Sequence, residues 1–349
     1  MTIFKKKPFM LVLTILLSMT MVLAACGGGS EEAGGDSGDS GSDDTYTIRV
    51  AYSVPEDHAS HIAGLAFKED IEEKSDGRIQ IELYPNGQLY ASDREAVEAV
   101  QLNNIEMTVV ATPTMATFTP EFSIFDLPFL FDSREAAYKA MDGDLGDALN
   151  EKVSEIGLVS LGYGENGFRH LLNSKRPIEK PEDMQGLKMR VMENKVYEDM
   201  FNTLGANSSP LAFGELYSAL QQGVYDGMDN PISLVSSMKF YEVQEYMTLS
   251  SHTFAPIISV MNKDFYDSLP EDLQEILQES MTNVYNQTQR ETTQQQDEEK
   301  LAELEQELEI NELTAEQKEA FAEALQPIYD KYSGDIGEDL IDMARAANE

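Results

Sequence analysis

Arg190 is a charged residue inside an otherwise apolar segment. The pattern of apolar side chains predicts a short strand over residues 187–192, with the arginine within it. Burial of an unpaired charge is very costly, and local spacing fixes no acidic residue beside Arg190. One possible partner is an acidic residue elsewhere in the chain, which would form a structural salt bridge with Arg190. The other is a ligand carboxylate, because the planar guanidinium group can give a carboxylate two parallel hydrogen bonds.

Three other polar side chains could contact a ligand. In open α/β sheets, ligands bind beyond the carboxyl ends of the strands, which here places His58 and Thr112 near a cleft. His58 could donate a hydrogen bond to an anion, or be a solvated turn residue. The Thr112 hydroxyl could bond a ligand oxygen, or simply cap the strand end. Glu165 could accept hydrogen bonds from ligand hydroxyl groups, or be an exposed loop acid.

Sequence signatures of catalysis are missing. The chain contains no P-loop, no GxGxxG after a strand, no HExxH and no GxSxG. Its four histidines show no metal-binding spacing, and its acidic residues are so numerous that close pairs are expected by chance. A secreted hydrolase would need a nucleophile or a metal site. Nothing in these patterns calls for catalysis, and we expect a protein that is not an enzyme and has no cofactor and no metal.

The elements that must position these side chains follow an α/β pattern. Alternating or apolar segments predict strands at 46–54, 79–84 and 105–111. Helical spacing predicts helices at 61–75 and 93–103 between them, which is a βαβ beginning. After these elements, the pattern predicts a helix at 135–156, a strand at 157–163 and a glycine-rich turn between lobes at 164–169. Towards the C-terminus it predicts a helix at 237–248, a strand at 257–262 and a long polar helix at 273–308. Final helices over 315–347 are predicted to be broken at Pro327.

Several linked motifs then point to a family. Residues 186–231 read GLKMRVMENKVYEDMFNTLGANSSPLAFGELYSALQQGVYDGMDNP. This stretch resembles the solute-binding proteins of tripartite ATP-independent periplasmic (TRAP) transporters, the dicarboxylate-binding DctP family. The resemblance extends from about residue 46 to about residue 347. It includes Phe125-Asp126-Leu127-Pro128-Phe129, Gly167-Phe168-Arg169 and Tyr217-x-Ala219-Leu220-Gln221.

The resemblance implies a set of ligand-binding residues. It makes Arg190 the carboxylate clamp and Arg169 a second donor or a support for that clamp. Phe213 matches a position whose aromatic ring packs on the ligand, although a core position is equally compatible with its sequence. Asn230 matches an asparagine whose amide bonds the carboxylate region. The family's usual Gly-Gln-Glu-Asn appears here as Gly227-Met228-Asp229-Asn230, so the asparagine is kept while its neighbours differ.

The resemblance also implies a fold and a ligand class. We expect an α/β, two-lobe, periplasmic-binding-protein-like fold with a hinge and a long helix spanning both lobes. Lobe I would comprise residues 46–166 and 255–294, and lobe II residues 167–254 and 295–349. The expected ligand is a small organic acid, with a C4-dicarboxylate as the first expectation and a sugar acid such as a uronate as the second.

The N-terminal residues predict export and anchoring. Lys5, Lys6 and Lys7 precede an apolar stretch at 8–23, and Leu23-Ala24-Ala25-Cys26 matches a lipoprotein signal. Residues 1–25 would then be a signal peptide and Cys26 the lipidated first residue of the mature chain. The alternative is an ordinary secretory signal with an incidental cysteine. Residues 26–45 are rich in Gly, Ser, Asp and Glu, which predicts a disordered acidic tether.

Charge and context limit the partners. The chain has 63 acidic and 25 basic residues, a formal net charge of −38, which argues against nucleic-acid binding. We expect an extracytoplasmic protein held at the outer face of the membrane by lipidated Cys26. Its partners would be the small organic acid and the small and large TRAP membrane subunits. An alternative from another class is a sensor that presents the acid to a receptor kinase.

Overall fold

The computed structural model describes residues 44–349. The predicted signal peptide, Cys26 and nearly all of the predicted tether lie outside this part. Within it the strands are β1 Tyr46–Ala51, β2 Ile79–Tyr84, β3 Met107–Ala111, β4 Leu158–Asn173, β5 Lys188–Val191, β6 Asn207–Pro210, β7 Gly227–Asn230, β8 Tyr246–Asn262 and β9 Glu309–Glu312.

Helices alternate with these strands through most of the chain. They are α1 Ala59–Lys74, α2 Asp93–Gln101, α3 Thr112–Met115, α4 Arg134–Met141, α5 Asp144–Glu155, α6 Lys195–Thr203, α7 Leu216–Gln221, α8 Ile232–Ser237, α9 Lys263–Ser268, α10 Glu271–Ser280, α11 Gln287–Leu304, α12 Ala315–Ile336 and α13 Glu338–Ala346. Short 3₁₀ segments lie at Pro120–Asp126, Pro181–Met184, Phe213–Glu215 and Phe240–Glu242, and a π-helical segment at Met281–Asn286.

One mixed sheet joins two lobes. In the described residues its order is β2-β1-β3-β8-β4-β7-β5-β6, and β9 pairs with β8. The central strands β4 and β8 have 16 and 17 residues and run antiparallel along most of their length. Strands β1 to β3 lie on one side of this pair, and β5 to β7 lie on the other. The two long strands therefore connect the lobes.

A strand with β-bulges connects the lobes at residues 164–169, whereas the sequence predicted a turn there. Strand β4 runs through this segment, with register shifts against β8 at Ser160/Tyr163, Glu165/Gly167 and Arg169/Leu171. Gly162 and Gly167 have φ angles of 111° and 101°, which favour glycine. The prediction of a turn was wrong because these glycines serve β-bulges, which bend a strand without ending its pairing.

The long helix that spans both lobes is confirmed. Helix α10, the π-helical segment and α11 follow one another without a break, and they contact α1 in the first lobe and α8 in the second. The apolar periodicity fails in α11 because its buried stripe is polar: Gln289, Thr293 and Asp297 are buried four residues apart. Gln289 both donates to and accepts from the backbone of Glu165, at 2.5 and 2.8 Å.

Three predicted helical segments differ from the structure. The predicted helix at 135–156 is two helices, α4 and α5, which separate at Gly143. The predicted helix at 237–248 was wrong, because α8 ends at Ser237 and the chain enters β8 at Tyr246. The break at Pro327 was also wrong. Helix α12 continues through this proline and ends at Ile336, where the C-cap Gly337 has a φ of 103° that favours glycine.

The buried apolar side chains of the described residues form three clusters. One packs β1 and β2 against α1 and α10, and another packs α7 and β7 against the end of α11. The largest includes residues from α2, α5, α6, β5 and the C-terminal helices α12 and α13. Within residues 44–349, no helix combines the length and apolar character needed to cross a membrane. The residue limits assigned to the two lobes remain a prediction.

Candidate ligand-binding site

A cavity lies at the centre of the sheet, where strands of both lobes meet. Residues of β3, β4, β5, β7 and β8 line it, together with Ser53 and Val54 after β1. Four of the predicted site residues are among its lining: Arg169, Arg190, Phe213 and Asn230. The cavity volume is about 50 Å³, enough for a few water molecules and thus suited to small polar groups.

Arg190 is buried in this cavity, and no carboxylate of residues 44–349 pairs with it. It is 2% exposed, on β5 between β6 and β7. Its Nε and Nη2 both donate to the carbonyl oxygen of Leu211, at 2.9 and 2.6 Å. No ion pair joins it to any acidic residue in the part of the chain described, and Nη1 has no hydrogen-bond acceptor there. The outer edge of the guanidinium group therefore keeps N–H groups for a ligand.

Arg169, by contrast, already has its counter-ion. It is 1% exposed on β4, and its Nε donates to Asp229 Oδ2 at 2.5 Å. Its Nη2 donates to the backbone oxygen of the same residue, and its guanidinium carbon lies 5.4 Å from the ring centre of Tyr197. Asp229 Oδ2 also lies 3.3 Å from His252 Nε2. This pairing orients Arg169 and leaves it electrically balanced at the cavity wall.

The electrostatic states of the two arginines differ accordingly. Burial lowers the pKa of Arg190 to about 10, and the positive charge of Arg169 acts in the same direction. Burial alone would lower the pKa of Arg169 as well, but the charge of Asp229 outweighs it and raises that pKa. In turn, Arg169 holds the pKa of Asp229 below its usual range despite the burial that opposes this change. Of the two, Arg190 is the cation that an added anion would stabilise.

Asn230 and Phe213 complete the predicted part of the cavity. Asn230 is 2% exposed at the end of β7, and its amide nitrogen lies 3.0 Å from Met228 Sδ. A thioether is a weak acceptor, so this amide can still donate to a ligand oxygen. Phe213 is partly exposed and meets Phe240 edge to face, with ring centres 6.1 Å apart. Phe213 lines the cavity, and it also packs against the apolar cluster formed by α7, β7 and the end of α11.

Thr112, His58 and Glu165 are not among the residues that line this cavity. The Thr112 hydroxyl donates to the backbone oxygen of Pro256 at 3.3 Å. His58 caps α1: its Nδ1 accepts from the amide of Ser60 at 3.2 Å, which leaves the proton on Nε2. Burial lowers its pKa to about 4, so it is neutral at pH 7. Glu165 is fully buried and pairs with Arg134 at 3.2 Å. The structure gives these three residues local structural partners, and their contact with a ligand remains a prediction.

Sequence reasoning missed several polar residues of the cavity, among them Asn166 and Asp93. Asn166 is 5% exposed and its Oδ1 has no hydrogen-bond partner in the described residues. It is the extra residue of the bulge at Glu165/Gly167, so it lines the cavity while its neighbour Glu165 does not. Asp93 begins α2, directly after the N-cap Ser92. An acidic residue at the start of a helix, after a strand and a turn, is the sequence pattern that could have identified Asp93.

The fold and this site define an extracellular solute-binding protein. Residues 50–335 match the family described as bacterial extracellular solute-binding protein, family 7. This match covers most of the chain, and the chain therefore belongs to the DctP family of TRAP solute-binding proteins. The family consists of substrate-binding proteins of transporters and not of enzymes, as the sequence predicted.

Named relatives agree with this assignment. The C4-dicarboxylate-binding periplasmic protein DctP of Rhodobacter capsulatus is 35% identical over 309 residues, which is 86% of this chain and 90% of the relative. The sugar acid binding protein DctPAm of Advenella mimigardefordensis, solved with galactonate, has a TM-score of 0.84 and 35% identity, covering 87% of this chain and 99% of that one. A TRAP periplasmic solute-binding protein of Sulfurospirillum deleyianum, solved with succinate, has a TM-score of 0.82 and 36% identity, covering 87% and 99%.

Proposed function

We propose that this protein binds a small organic acid outside the cytoplasm and delivers it to the small and large subunits of a TRAP permease. The carboxylate of the acid would bind Arg190. Arg169 would hold the cavity wall in place or add a further hydrogen bond, and Asn230 would donate its amide. Phe213 would pack against the carbon chain.

The observation that carries this proposal is the contrast between two buried arginines in one cavity. Arg169 has Asp229 beside it, whereas the carbonyl of Leu211 is the only hydrogen-bond acceptor of the Arg190 side chain among the described residues. An uncompensated buried cation is destabilising, and a ligand carboxylate would supply the missing charge together with two hydrogen bonds. The relatives solved with galactonate and with succinate support an organic acid, since both of these ligands are carboxylates.

A panel of organic acids tests the proposal directly. A ligand that binds only the native state raises the unfolding temperature, so thermal unfolding should separate binders from non-binders. C4-dicarboxylates and sugar acids are the two classes to include, with a sugar of similar size but no carboxylate as the control. Mass spectrometry of the recovered ligand should find it chemically unchanged. Failure of every acid to bind, or recovery of an altered acid, would contradict the proposed function.

The two-lobe arrangement predicts closure on the ligand. Arg190 belongs to the side of the sheet formed by β5 to β7, whereas Ser53 follows β1 on the other side, and both line the same cavity. A ligand that touches both lobes favours the state in which they are close, and a ligand that touches only one shifts nothing. We expect small-angle X-ray scattering to give a smaller radius of gyration with bound acid than without it.

The control for closure is Arg190→Ala with the same acid at the same concentration, which should scatter as the free protein does. If the acid-saturated wild type scattered like the free protein, the closure mechanism would be wrong and the acid would bind in a rigid pocket.

We further propose that Cys26 anchors the protein to the outer face of the membrane through acyl chains. Each buried methylene group contributes about 0.8 kcal/mol, so several chains give stable retention. In the native host, Cys26→Ser should release the protein from the membrane fraction or block its processing. Its affinity for the acid should be unchanged, because residue 26 precedes the domain that contains the cavity. Processed Cys26→Ser protein that stayed in the membrane fraction would exclude this anchor.

A further inference from the structure

Two buried carboxylates share one arginine at the bulged segment that connects the lobes. Arg134, the first residue of α4, donates from Nε to Glu165 Oε2 at 3.2 Å and pairs through Nη2 with Asp297 of α11. Glu165 is fully buried, and Asp297 is 5% exposed. We call Arg134, Glu165 and Asp297 the hinge triad. With both carboxylates ionised, the triad would hold one uncompensated negative charge away from water.

The hinge triad contacts elements on both sides of the sheet. The backbone of Glu165 on β4 is held by the side chain of Gln289. Asp297 Oδ1 accepts a hydrogen bond from the backbone amide of Ser233 at 3.0 Å, in α8, which follows β7. A Cβ atom at Gly167 would lie 3.0 Å from Asp297 Oδ2, so the bulge of β4 packs directly against this carboxylate. Rotation of the lobes about this segment therefore changes the surroundings of the triad.

Burial and like charge both favour a proton on this pair of carboxylates. Burial raises the pKa of Asp297 to about 7, and the charge of Glu165 acts in the same direction. The charge of Arg134 and the backbone amide of Ser233 oppose this increase. Burial also raises the pKa of Glu165, against the charge of Arg134. Because two coupled carboxylates titrate as a pair, one arginine neutralises one of them and the other keeps a proton near neutral pH.

The other titratable groups near the triad, among residues 44–349, keep their charge states around pH 7. Helix α8 has no titratable side chain, and neither do the buried positions of α1. Burial lowers the pKa of His58 at the start of α1 to about 4 and that of His170 on β4 to about 3. Burial raises the pKa of Tyr138 on α4 and of Tyr285 in the π-helical segment. Arg290 of α11 stays positively charged.

We propose that the hinge triad is a proton-sensitive switch: closure of the lobes on the organic acid takes up a proton there, so affinity falls as the pH rises through neutrality. This inference rests on the proposed function, because it assumes that the lobes close on the acid. In the structure described, both lobes line one cavity of about 50 Å³, and the carboxylates of the triad are buried. Opening of the lobes admits water to these carboxylates, which moves their pKa values towards the ordinary value of about 4.

Proton linkage gives the sign and the size of the effect. The closed state binds the proton more tightly than the open state, so closure is favoured at low pH. This advantage is lost as the pH rises through the closed-state pKa of Asp297, about 7. At pH 7 the closed state would hold about half a proton more than the open state. Affinity for the acid should fall about fourfold from pH 6.5 to pH 8.5 and then level off.

Calorimetry in buffers of different ionisation enthalpy counts the protons that are taken up on binding. The probes are D-galactonate and succinate, whose carboxylates are ionised between pH 6.5 and pH 8.5. The wild type should take up about half a proton at pH 7 and almost none at pH 8.5. Asp297→Asn should take up almost none at either pH and lose the fourfold change in affinity. Glu165→Gln should do the same, because Arg134 then neutralises Asp297 alone and lowers its pKa.

Glu298→Gln is the matched control, because Glu298 is the next residue of α11, is exposed, and forms no ion pair within the described residues. It should keep the proton uptake and the pH dependence of the wild type. The inference is overturned if the wild type binds a probe without proton uptake at pH 7, or if a folded Asp297→Asn or Glu165→Gln protein keeps the wild-type uptake. In either case, loss of binding in Arg190→Ala would leave the proposed function standing. If neither probe nor any other organic acid binds the wild type, the proposed function fails and the inference fails with it.

Discussion

Arg190→Ala is expected to abolish measurable binding of the organic acid while the protein stays folded. The variant removes both the charge and the hydrogen-bond donors that we assign to the ligand carboxylate. Removal of one partner from a buried, hydrogen-bonded charge pair costs about 2–5 kcal/mol of affinity. The fold should tolerate the change, because the guanidinium group has no acidic partner in the described structure, and its loss leaves no buried carboxylate unpaired. Isothermal titration calorimetry measures the affinity, and circular dichroism verifies the fold.

Arg190→Lys should be almost as damaging, although it keeps the positive charge. A lysine ammonium group is a compact point charge and cannot give a carboxylate two parallel hydrogen bonds from one plane. Arg176→Ala is the matched control, since Arg176 also donates from Nε and Nη2 to backbone oxygens, those of Asp183 and Gln185, and does not line the cavity. Near wild-type affinity in a folded Arg190→Ala protein would refute the role of Arg190.

Arg190 could be predicted as a site residue because its evidence is local. A charge inside an apolar strand shows in the sequence itself, and the structure finds the residue buried and lining the cavity. The beginning of the fold was equally accessible: β2 has the predicted limits, and α1 and α2 lie within a few residues of the predicted helices. Short-range periodicity determines these elements, so one sequence suffices to find them.

The cavity wall could not be predicted to the same extent, because it depends on the register of strands far apart in the chain. Strict alternation along β4 breaks at the bulge around Asn166, so no pattern in the sequence indicates that Asn166 lines the cavity. The partner of Arg169 is Asp229, sixty residues away on β7, and no local pattern reveals this pairing. The polar stripe of α11 is buried against β4 rather than exposed, which hydrophobic spacing alone cannot indicate.

Arg169→Met is expected to destabilise the fold more than any other charge-removing change discussed above. Methionine keeps much of the apolar stem but leaves Asp229 fully buried without its counter-ion. Breaking a buried ion pair from one side costs about 3–5 kcal/mol, and chemical denaturation at pH 7 would measure this loss. Arg94→Met is the control, because its pair with Glu98 is exposed and such pairs contribute only about 0–1 kcal/mol.

The dependence on pH separates an unpaired charge from lost packing. In the wild type, Arg169 lowers the pKa of Asp229, so the stability that this carboxylate contributes is present above its unfolded pKa of about 4 and is lost as the pH falls below it. Without Arg169, burial raises the pKa of Asp229 instead, and folding then favours its protonated form. The stability difference between wild type and Arg169→Met should therefore shrink as the pH falls from 7 towards about 4. Adding Asp229→Asn should recover part of the loss at pH 7. A stability difference that is the same at both pH values would mean that packing, and not the Asp229 charge, makes Arg169 necessary.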